Sequence, residues 1–375
     1  MKNKFLFSIA LICLATSTIS SAKEISKEAI ITPEVIQEVP LEPGPVIIPT
    51  TPAFVPNGTL SFTQTFYGNS GKYKTATAHP NATFNYNFAP KWNINLEWDR
   101  SFNMYDYNGG ENQYNSAYSG PQINLAYDHG YVGNSKVKWS STINIKNSTT
   151  LSAPTSDNTY VWGTTSFDFA EYLPSSEYAK PTQFAIQPYY IYGWNTGSGS
   201  GHENVLGISL LSDYQLPAGF SFQFNAYLMK SWYNGSAELS TEAGKMYNED
   251  VLGAIYTYLN YSKDIYQFNK DTTLTFNFIG GLDPYMFSDK KVSNLFPFYF
   301  IDQQYEWMGP TVYSGNYKNT FIAFALPQLM LTHNITEDLS ASLFVQAKYS
   351  NQVFGDTEKD WKIQPQGGFE ISYKF

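Results

Sequence analysis

The chain has 375 residues, of which 42% are hydrophobic, 17% aromatic and only 15% charged, whereas an ordinary globular domain carries about 25% charged residues. So much apolar and aromatic surface excludes a disordered chain. Beyond the N-terminal residues 1–20, no run approaches the ~18 apolar residues of a membrane-spanning helix, which excludes a helical membrane protein. With one cysteine and four histidines, we expect no disulfide, no metal site and no cofactor.

The N-terminal segment predicts export. Lys2 and Lys4 precede the apolar stretch 5–15, and small residues at 20–22 predict a secretory signal peptide cleaved after Ala22. A lipoprotein acylated at Cys13 is disfavoured, because the bulky Ile12 stands where a small residue is needed. Removing Lys2 and Lys4 leaves 21 basic against 32 acidic residues. This acidic balance argues against nucleic acid as a partner.

Residues 23–56 are predicted to form an extended linker in the periplasm. The segment holds seven prolines and five glutamates, and proline is incompatible with a helix interior or a central strand. Polyproline-like tethers have this composition. We consider an inert spacer and a segment that contacts the cell wall or a neighbouring subunit.

From residue 57 to 375 apolar and polar residues alternate with a period of two, which predicts antiparallel β-strands with one face of each kind. In the segment 92–99, for example, Trp92, Ile94, Leu96 and Trp98 alternate with Asn93, Asn95, Glu97 and Asp99. About fourteen strands are predicted, with boundary errors of about two to four residues. They are placed at 58–68, 80–88, 92–103, 118–128, 136–147, 158–170, 182–194, 204–215, 220–233, 249–262, 272–286, 319–333, 339–350 and 361–375.

A soluble sandwich and a membrane barrel both use such strands. Three features favour an all-β, transmembrane antiparallel barrel over residues 57–375: aromatic residues near the strand ends, an alternation of short turns with long loops, and the C-terminal pattern. That pattern consists of Phe369, Ile371, Tyr373 and Phe375. A terminal Phe after alternating apolar residues predicts recognition by the barrel assembly machinery of the outer membrane. Twelve or sixteen strands stay possible, because 287–318 could contain another hairpin.

Several short motifs resemble those of FomA-type major outer-membrane porins. They are Asn57-Gly58 before the first strand, Asn134-Ser135-Lys136-Val137, Phe167-Asp168-Phe169-Ala170-Glu171-Tyr172, and Trp361 with Gln364-Pro365 in the last strand. The similarity runs in patches over most of the mature chain. It implies a voltage-gated, rather non-specific porin, a homotrimer, and exposed loops that serve in adhesion. The barrel of this chain departs from that family by being poor in charge and rich in Asn, Tyr and Ser.

The candidate functional residues are charges predicted to line the pore: Glu97, Asp99, Lys136, Lys138, Lys146, Lys348, Lys362, Glu370 and Lys374. If acidic and basic residues formed opposing rings across the lumen, they would select solutes by charge. If they are scattered and solvated on a water-filled wall, they would not. The barrel segment holds 19 basic and 27 acidic residues, from which we expect a weak cation preference.

The loop 287–318 is unusually apolar. A constriction or adhesion role is predicted for Phe296, Phe298, Tyr299, Asp302, Glu306 and Trp307. An exposed apolar loop would promote aggregation, so the loop either folds into the lumen, packs on other loops, covers a subunit contact or binds a partner. An extended hairpin that continues the flanking strands is the alternative.

No catalytic motif emerges, and we expect no enzyme. Nucleophilic catalysis needs a nucleophile and a base within hydrogen-bond reach, but the four histidines fall on different predicted elements. The resulting hypothesis is an outer-membrane porin that passes small hydrophilic solutes and ions by passive diffusion. The alternative is a surface adhesin that binds partner cells or host molecules, with the barrel as anchor. An anchor needs only about 8–10 strands, whereas about fourteen leave a channel.

Overall fold

The computed structural model describes residues 54–68, 77–103, 118–150, 158–196, 201–234, 239–240, 246–292, 317–351 and 361–375. These residues form a closed antiparallel barrel of fourteen strands, the number that the period-two pattern predicts. The strands are β1 (Asn57–Tyr67), β2 (Thr77–Ala89), β3 (Trp92–Asn103), β4 (Gln122–Tyr131), β5 (Lys138–Thr150), β6 (Asn158–Asp168), β7 (Lys180–Asn195), β8 (His202–Gln215), β9 (Phe220–Asn234), β10 (Glu249–Asn269), β11 (Thr272–Val292), β12 (Tyr317–Asn334), β13 (Leu339–Ser350) and β14 (Lys362–Lys374). The predicted signal peptide and most of the predicted linker lie outside the described residues.

Pairing between the first and the last strand closes the ring. β1 runs antiparallel to β14 from Thr59 opposite Lys374 to Tyr67 opposite Gln366. The amide of Gly58 donates to the carbonyl of Phe375 at 2.9 Å, and the amide of Phe375 donates back at 3.1 Å. Both ends of the barrel segment therefore lie at the same end of the barrel, as an even strand number requires. We call this end the terminus-bearing end.

The connections at the terminus-bearing end are short and ordered. They include the two-residue turns at 90–91 and 270–271, the turns at 132–137 and 335–338, and two 3-10 helices, Ala170–Tyr172 and Pro217–Gly219. Most residues of the connections at the opposite end lie outside the described part. Among the described residues, no helix has the length and hydropathy needed to cross a membrane.

The observed strands differ from the predicted ones where the alternation is locally broken. β4 begins at Gln122 rather than 118, because Gly120 and Pro121 separate it from the two-residue strand Tyr118–Ser119, and proline cannot donate to a ladder. β10 continues to Asn269 rather than 262. Register shifts between Asp264 and Tyr266 and between Gln267 and Asn269 obscure the period of two there, since each extra residue reverses the face of those that follow.

Six prolines lie inside the strands of the barrel: Pro80, Pro181, Pro188, Pro284, Pro327 and Pro365. The β13–β14 ladder is continuous at Pro365, whereas the ladder is interrupted beside the other five, with register shifts at Pro181 and Pro284. The β6–β7 pairing breaks between Tyr189 and Ile186, and comparable gaps occur in the β2–β3 and β12–β13 pairings. A proline lacks the N–H that the neighbouring carbonyl would accept. The barrel tolerates each loss because both strands pair again on either side of the gap.

Candidate functional site

The two faces of each strand separate as the alternation predicts. On β3, the side chains of Leu96 and Trp98 are both 37% exposed, whereas Asn93 and Asn95 are 7% exposed. In a closed barrel, alternate side chains point outward and inward. The exposed apolar set is therefore the outer face, and the less exposed polar set is the inner wall.

Aliphatic and aromatic side chains cover the outer face around the ring. The large exposed members include Leu60, Ile123, Ile143, Ile145, Leu206, Ile208, Leu228, Leu329, Leu343, Val345 and Ile363. An apolar exterior on a barrel without free edges is what a spanning structure needs, because lipid offers no hydrogen bonds to the backbone. The fold thus defines this chain as a transmembrane β-barrel.

An aromatic girdle covers the outer face of β3 to β6 near the terminus-bearing end. The Trp92 ring lies 4.5 Å from Tyr127, the His129 ring stacks on Trp139 at 3.9 Å, and Trp139 lies 6.1 Å from Phe167, all measured between ring centroids. Rings with an apolar body and a polar tip are typical of the membrane–water boundary. The girdle marks one edge of the apolar band.

The predicted assembly signal lies on the outer face. Ile371, Tyr373 and Phe375 are 44–45% exposed, and the ring of Phe369 lies 6.1 Å from that of Phe62. The ring of Phe375 stacks on Phe84 at 5.9 Å. The terminal residue is thus fixed at the seam where the barrel closes, and its recognition during assembly stays a prediction.

Most of the predicted pore-lining charges occupy inward positions. Glu97 and Asp99 lie on β3, Lys146 on β5, Lys348 on β13, and Lys362, Glu370 and Lys374 on β14. Lys348 on β13 and Lys146 on β5 are six strands apart in a ring of fourteen, so these charges are spread over about half of the wall. Acidic and basic residues are mixed within that half.

Two of the predicted lysines lie at the terminus-bearing end. Lys136 lies in the turn before β5 rather than on a strand, and its backbone amide donates to the Tyr172 hydroxyl at 3.1 Å. Lys138 lies 3.1 Å from the Glu171 carboxylate, which also accepts a 2.6 Å hydrogen bond from the Tyr131 hydroxyl. These two donors, Tyr131 first, lower the pKa of Glu171. The cluster joins two neighbouring turns.

Glu97 is enclosed by amides. Its two carboxylate oxygens accept hydrogen bonds from Asn81 Nδ2 at 2.9 Å and from Gln122 Nε2 at 2.5 Å. Lys348 is almost fully buried, and its Nζ lies 5.7 Å from the centroid of the Phe324 ring. Both charges are therefore part of the wall structure, and only Glu97 of the two is exposed enough to contact a solute.

The inner wall carries two rows of primary amides that the sequence did not predict. In the first row, Asn85, Asn95, Asn124 and Asn144 stand opposite one another on β2, β3, β4 and β5. In the second, Asn277, Gln328, Gln346 and Gln366 stand opposite one another on β11 to β14. Within the second row each amide donates to the next, at 2.9, 2.8 and 2.6 Å. The abundance of Asn and Gln was the single sign of these rows in the sequence, because a sequence does not show which residues of neighbouring strands stand opposite each other.

Buried acids were missed as well. Glu203 on β8, Asp250 on β10 and Asp283 on β11 are at most 3% exposed. The Tyr233 hydroxyl donates to Asp250 at 3.0 Å, and the Tyr258 hydroxyl donates to Asp283 at 2.7 Å. Asp283 lies within the predicted strand 272–286, and the structure extends this strand, β11, to Val292.

Part of the inner wall is apolar, which the polar-inside pattern did not predict. A buried cluster on β6 to β12 is rich in tyrosine and aliphatic residues: Tyr160, Tyr189, Ile191, Val205, Tyr227, Met229, Leu252, Tyr256, Tyr258, Ile279, Ile322, Phe324 and Leu326. The Tyr189 and Tyr227 rings lie 6.3 Å apart, and Tyr227 meets Tyr256 edge to face at 5.7 Å. In these strands both faces carry apolar residues, so alternation alone does not reveal the inner face.

Two inward glycines make room for this cluster. An ideal Cβ on Gly207 would lie 2.2 Å from Cζ of Tyr189, and one on Gly193 would lie 2.8 Å from Cδ1 of Tyr160. Each ring thus lies flat over the glycine of the next strand, an arrangement that offsets the weak strand propensity of glycine.

We expect Gly207→Ala to lower the free energy of unfolding by about 1–3 kcal/mol, the usual cost of overpacking. The Tyr189 ring would have to leave its place. Gly163→Ala is the matched control, because no atom lies within 4 Å of its ideal Cβ, and there we expect no loss or a small gain. Urea unfolding in detergent micelles measures both, and equal stabilities of the two variants would contradict this packing.

Exposure of the inner wall differs around the ring. On β2 to β6 most inward polar side chains are half-exposed, including Asn81, Asn85, Asn87, Glu97, Gln122, Asn124, Ser140, Thr142, Asn144, Lys146, Thr164 and Ser166. On β8 to β13 many inward side chains are buried, including Val205, Ser209, Asn225, Tyr227, Tyr256, Tyr258, Asn277, Ile279, Phe324, Gln328 and Lys348. Solvent therefore reaches the wall mainly along β2 to β6.

The six residues predicted for a constriction or adhesion loop, from Phe296 to Trp307, lie outside the described residues. The four histidines lie on four different strands, β2, β4, β8 and β12. Within the described ranges, no group of three or more His, Cys, Asp or Glu side chains could hold a metal ion.

Comparison with known proteins yields structural similarity alone. No protein-family model matches the sequence, and no curated protein does. Among solved structures, CdiB from Acinetobacter baumannii is similar with a TM-score of 0.43 and 12% identity, covering 85% of this chain and 60% of that chain. The outer-membrane channel DcaP of Acinetobacter baumannii is similar with a TM-score of 0.37 and 8% identity, covering 86% of this chain and 96% of that chain. Salmonella typhi OmpF in complex with daunomycin is similar with a TM-score of 0.33 and 12% identity, covering 86% of this chain and 97% of that chain. Similarity at this level carries no argument about the function of this chain.

Proposed function

We propose that the chain is an outer-membrane porin that lets small hydrophilic solutes and ions diffuse passively through the barrel. One observation carries the proposal: a closed ring of fourteen strands has an apolar outer face and, along β2 to β6, a half-exposed inner wall of amides and hydroxyls. A ring of about eight strands is filled by its own side chains, whereas a wider ring leaves a cavity. The strand number thus favours a channel over a mere anchor for adhesive loops.

Single-channel recording in a planar bilayer tests this function. We expect the purified protein to give discrete conductance steps in KCl with a weak cation preference, because acidic residues outnumber basic ones in the barrel segment. A folded, heat-modifiable barrel that inserts into the bilayer without any conductance would contradict the proposal and would favour the role of a surface anchor.

The same proposal places the chain in the export pathway of the outer membrane. Residues 1–22 act as the signal peptide, the barrel assembly machinery inserts residues 57–375, and the terminus-bearing end faces the periplasm. A homotrimer, as the resemblance to FomA-type porins implies, is part of the proposal. Cross-linking of the protein in intact membranes tests the trimer.

We expect removal of residues 23–52 to leave barrel insertion and conductance nearly unchanged. The barrel is closed by the pairing of β1 with β14, which starts at Thr59 opposite Lys374, and the proline-rich segment offers few donors for a further strand. The heat-modifiable band and the conductance of the truncated protein, expressed with its signal peptide, measure the effect. Loss of folding in this variant would instead show that the segment is a part of the barrel.

A further inference from the structure

The asparagine row, formed by Asn85, Asn95, Asn124 and Asn144, crosses the part of the inner wall that solvent reaches. Its members face one another on four adjacent strands. Asn95 is buried, whereas the other three are half-exposed. The row therefore presents amides to the lumen on β2, β4 and β5, with the buried Asn95 between them.

The hydrogen bonding of the row leaves capacity for a ligand. Asn93 Nδ2, next to the row, donates to Asn85 Oδ1 at 2.8 Å and to Asn87 Oδ1 at 2.9 Å. A primary amide offers two donors and an acceptor with two lone pairs, so the half-exposed amides have groups to offer to a solute.

The inward charges beside the row carry both signs: Glu97 and Asp99 on β3 and Lys146 on β5. Glu97 lies two residues after Asn95 on β3, and its carboxylate already accepts hydrogen bonds from Asn81 and Gln122. A charged solute would lose part of its hydration here, and neighbouring charges of both signs would favour neither a cation nor an anion strongly. A solute rich in hydroxyl groups would both donate to and accept from the amides at no such cost.

The opposite part of the wall provides no comparable contact. Inward side chains there, such as Ser209, Asn225 and Tyr256, are 2% exposed each. A solute that crosses the barrel therefore meets the β2 to β6 side of the wall.

We propose that the solute path runs off-centre along β2 to β6 and that the asparagine row makes it selective for uncharged, hydroxyl-rich solutes such as sugars and polyols. The inference rests on the proposed channel function and adds the substrate class and the residues that set it.

The test uses the double variant Asn124→Leu and Asn144→Leu, which removes the amides at nearly constant shape. In liposomes we expect entry of a neutral hexose to fall about fivefold for each hydrogen bond lost. Entry of a carboxylate of the same size and the KCl conductance should stay close to those of the parent. The conservative variant Asn124→Gln and Asn144→Gln should keep most of the hexose entry. Ser209→Ala on the buried part of the wall is the matched control. It should leave the hexose entry, the carboxylate entry and the KCl conductance unchanged.

Cysteine labelling locates the path independently of transport. The only cysteine of the chain is Cys13, in the predicted signal peptide, so the background is low. We expect Thr142→Cys and Asn144→Cys to react with a charged thiol reagent and to lose conductance on reaction. Ser209→Cys and Asn225→Cys should stay unreactive in the folded barrel.

The outcomes separate the two proposals. A parent protein that conducts, together with a Leu double variant whose hexose entry is unchanged, would overturn the selectivity. Equal labelling at positions 144 and 209 would overturn the off-centre path. A parent without conductance would overturn the channel function, and with it this inference.

Discussion

Deletion of Phe375, or its replacement by Ser, is expected to remove most of the folded barrel from the outer membrane. The terminal ring stacks on Phe84 at 5.9 Å and lies 5.8 Å from Tyr86 and 6.0 Å from Tyr373. Each such ring pair stabilises by about 0.5–1.5 kcal/mol beyond its buried area. The backbone of Phe375 also exchanges two hydrogen bonds with Gly58 at the seam, so its loss weakens closure of the ring.

The adjacent residue supplies the control. Lys374 points to the inner side and is exposed, so Lys374→Ser should assemble like the parent, and Phe375→Tyr should retain most of the barrel. Heat-modifiable mobility of membrane fractions on a gel measures the folded barrel. Full levels of folded protein after deletion of Phe375 would contradict both the contact and the proposed assembly signal.

Leu96→Arg is expected to lower the free energy of unfolding by about 2–4 kcal/mol, the cost of a cationic side chain facing lipid near the midplane. Leu96 is exposed on the outer face of β3, between Phe84 on β2 and Ile123 on β4. It lies four residues beyond Trp92 of the aromatic girdle, which places it about 10 Å into an apolar band about 25 Å tall. Urea unfolding in lipid bilayers measures the effect.

The neighbouring residue tests the register of the strand. Glu97 points inward, so Glu97→Gln should cost at most about 1 kcal/mol, the loss of one hydrogen bond. A cysteine at position 97 should react with a charged, membrane-impermeant thiol reagent, and a cysteine at position 96 should not. The reverse result would shift β3 by one residue and move each of its inward side chains to the lipid face.

The sequence by itself determined the class of the fold. Alternation with a period of two is a property of each strand alone, so it revealed the strands, their number and the outward side of residues such as Leu96 and Ile371. The even number also placed Asn57 and Phe375 at one end. Alternation failed where bulges in β10 reverse the faces, and where both faces are apolar, as around Tyr227 and Met229.

Only the tertiary structure decided which inward residues are neighbours. Register between strands depends on the stagger with which the ring closes, and no local pattern encodes it. The closed ring placed Glu97 and Lys348 four strands apart, although they are about 250 residues apart in the sequence, and it laid Tyr189 over Gly207. It also aligned four asparagines that are spread over 60 residues of sequence, from Asn85 to Asn144, into a single row. Contacts between distant strands form together when the barrel closes, and for that reason the candidate site became visible only in the folded chain.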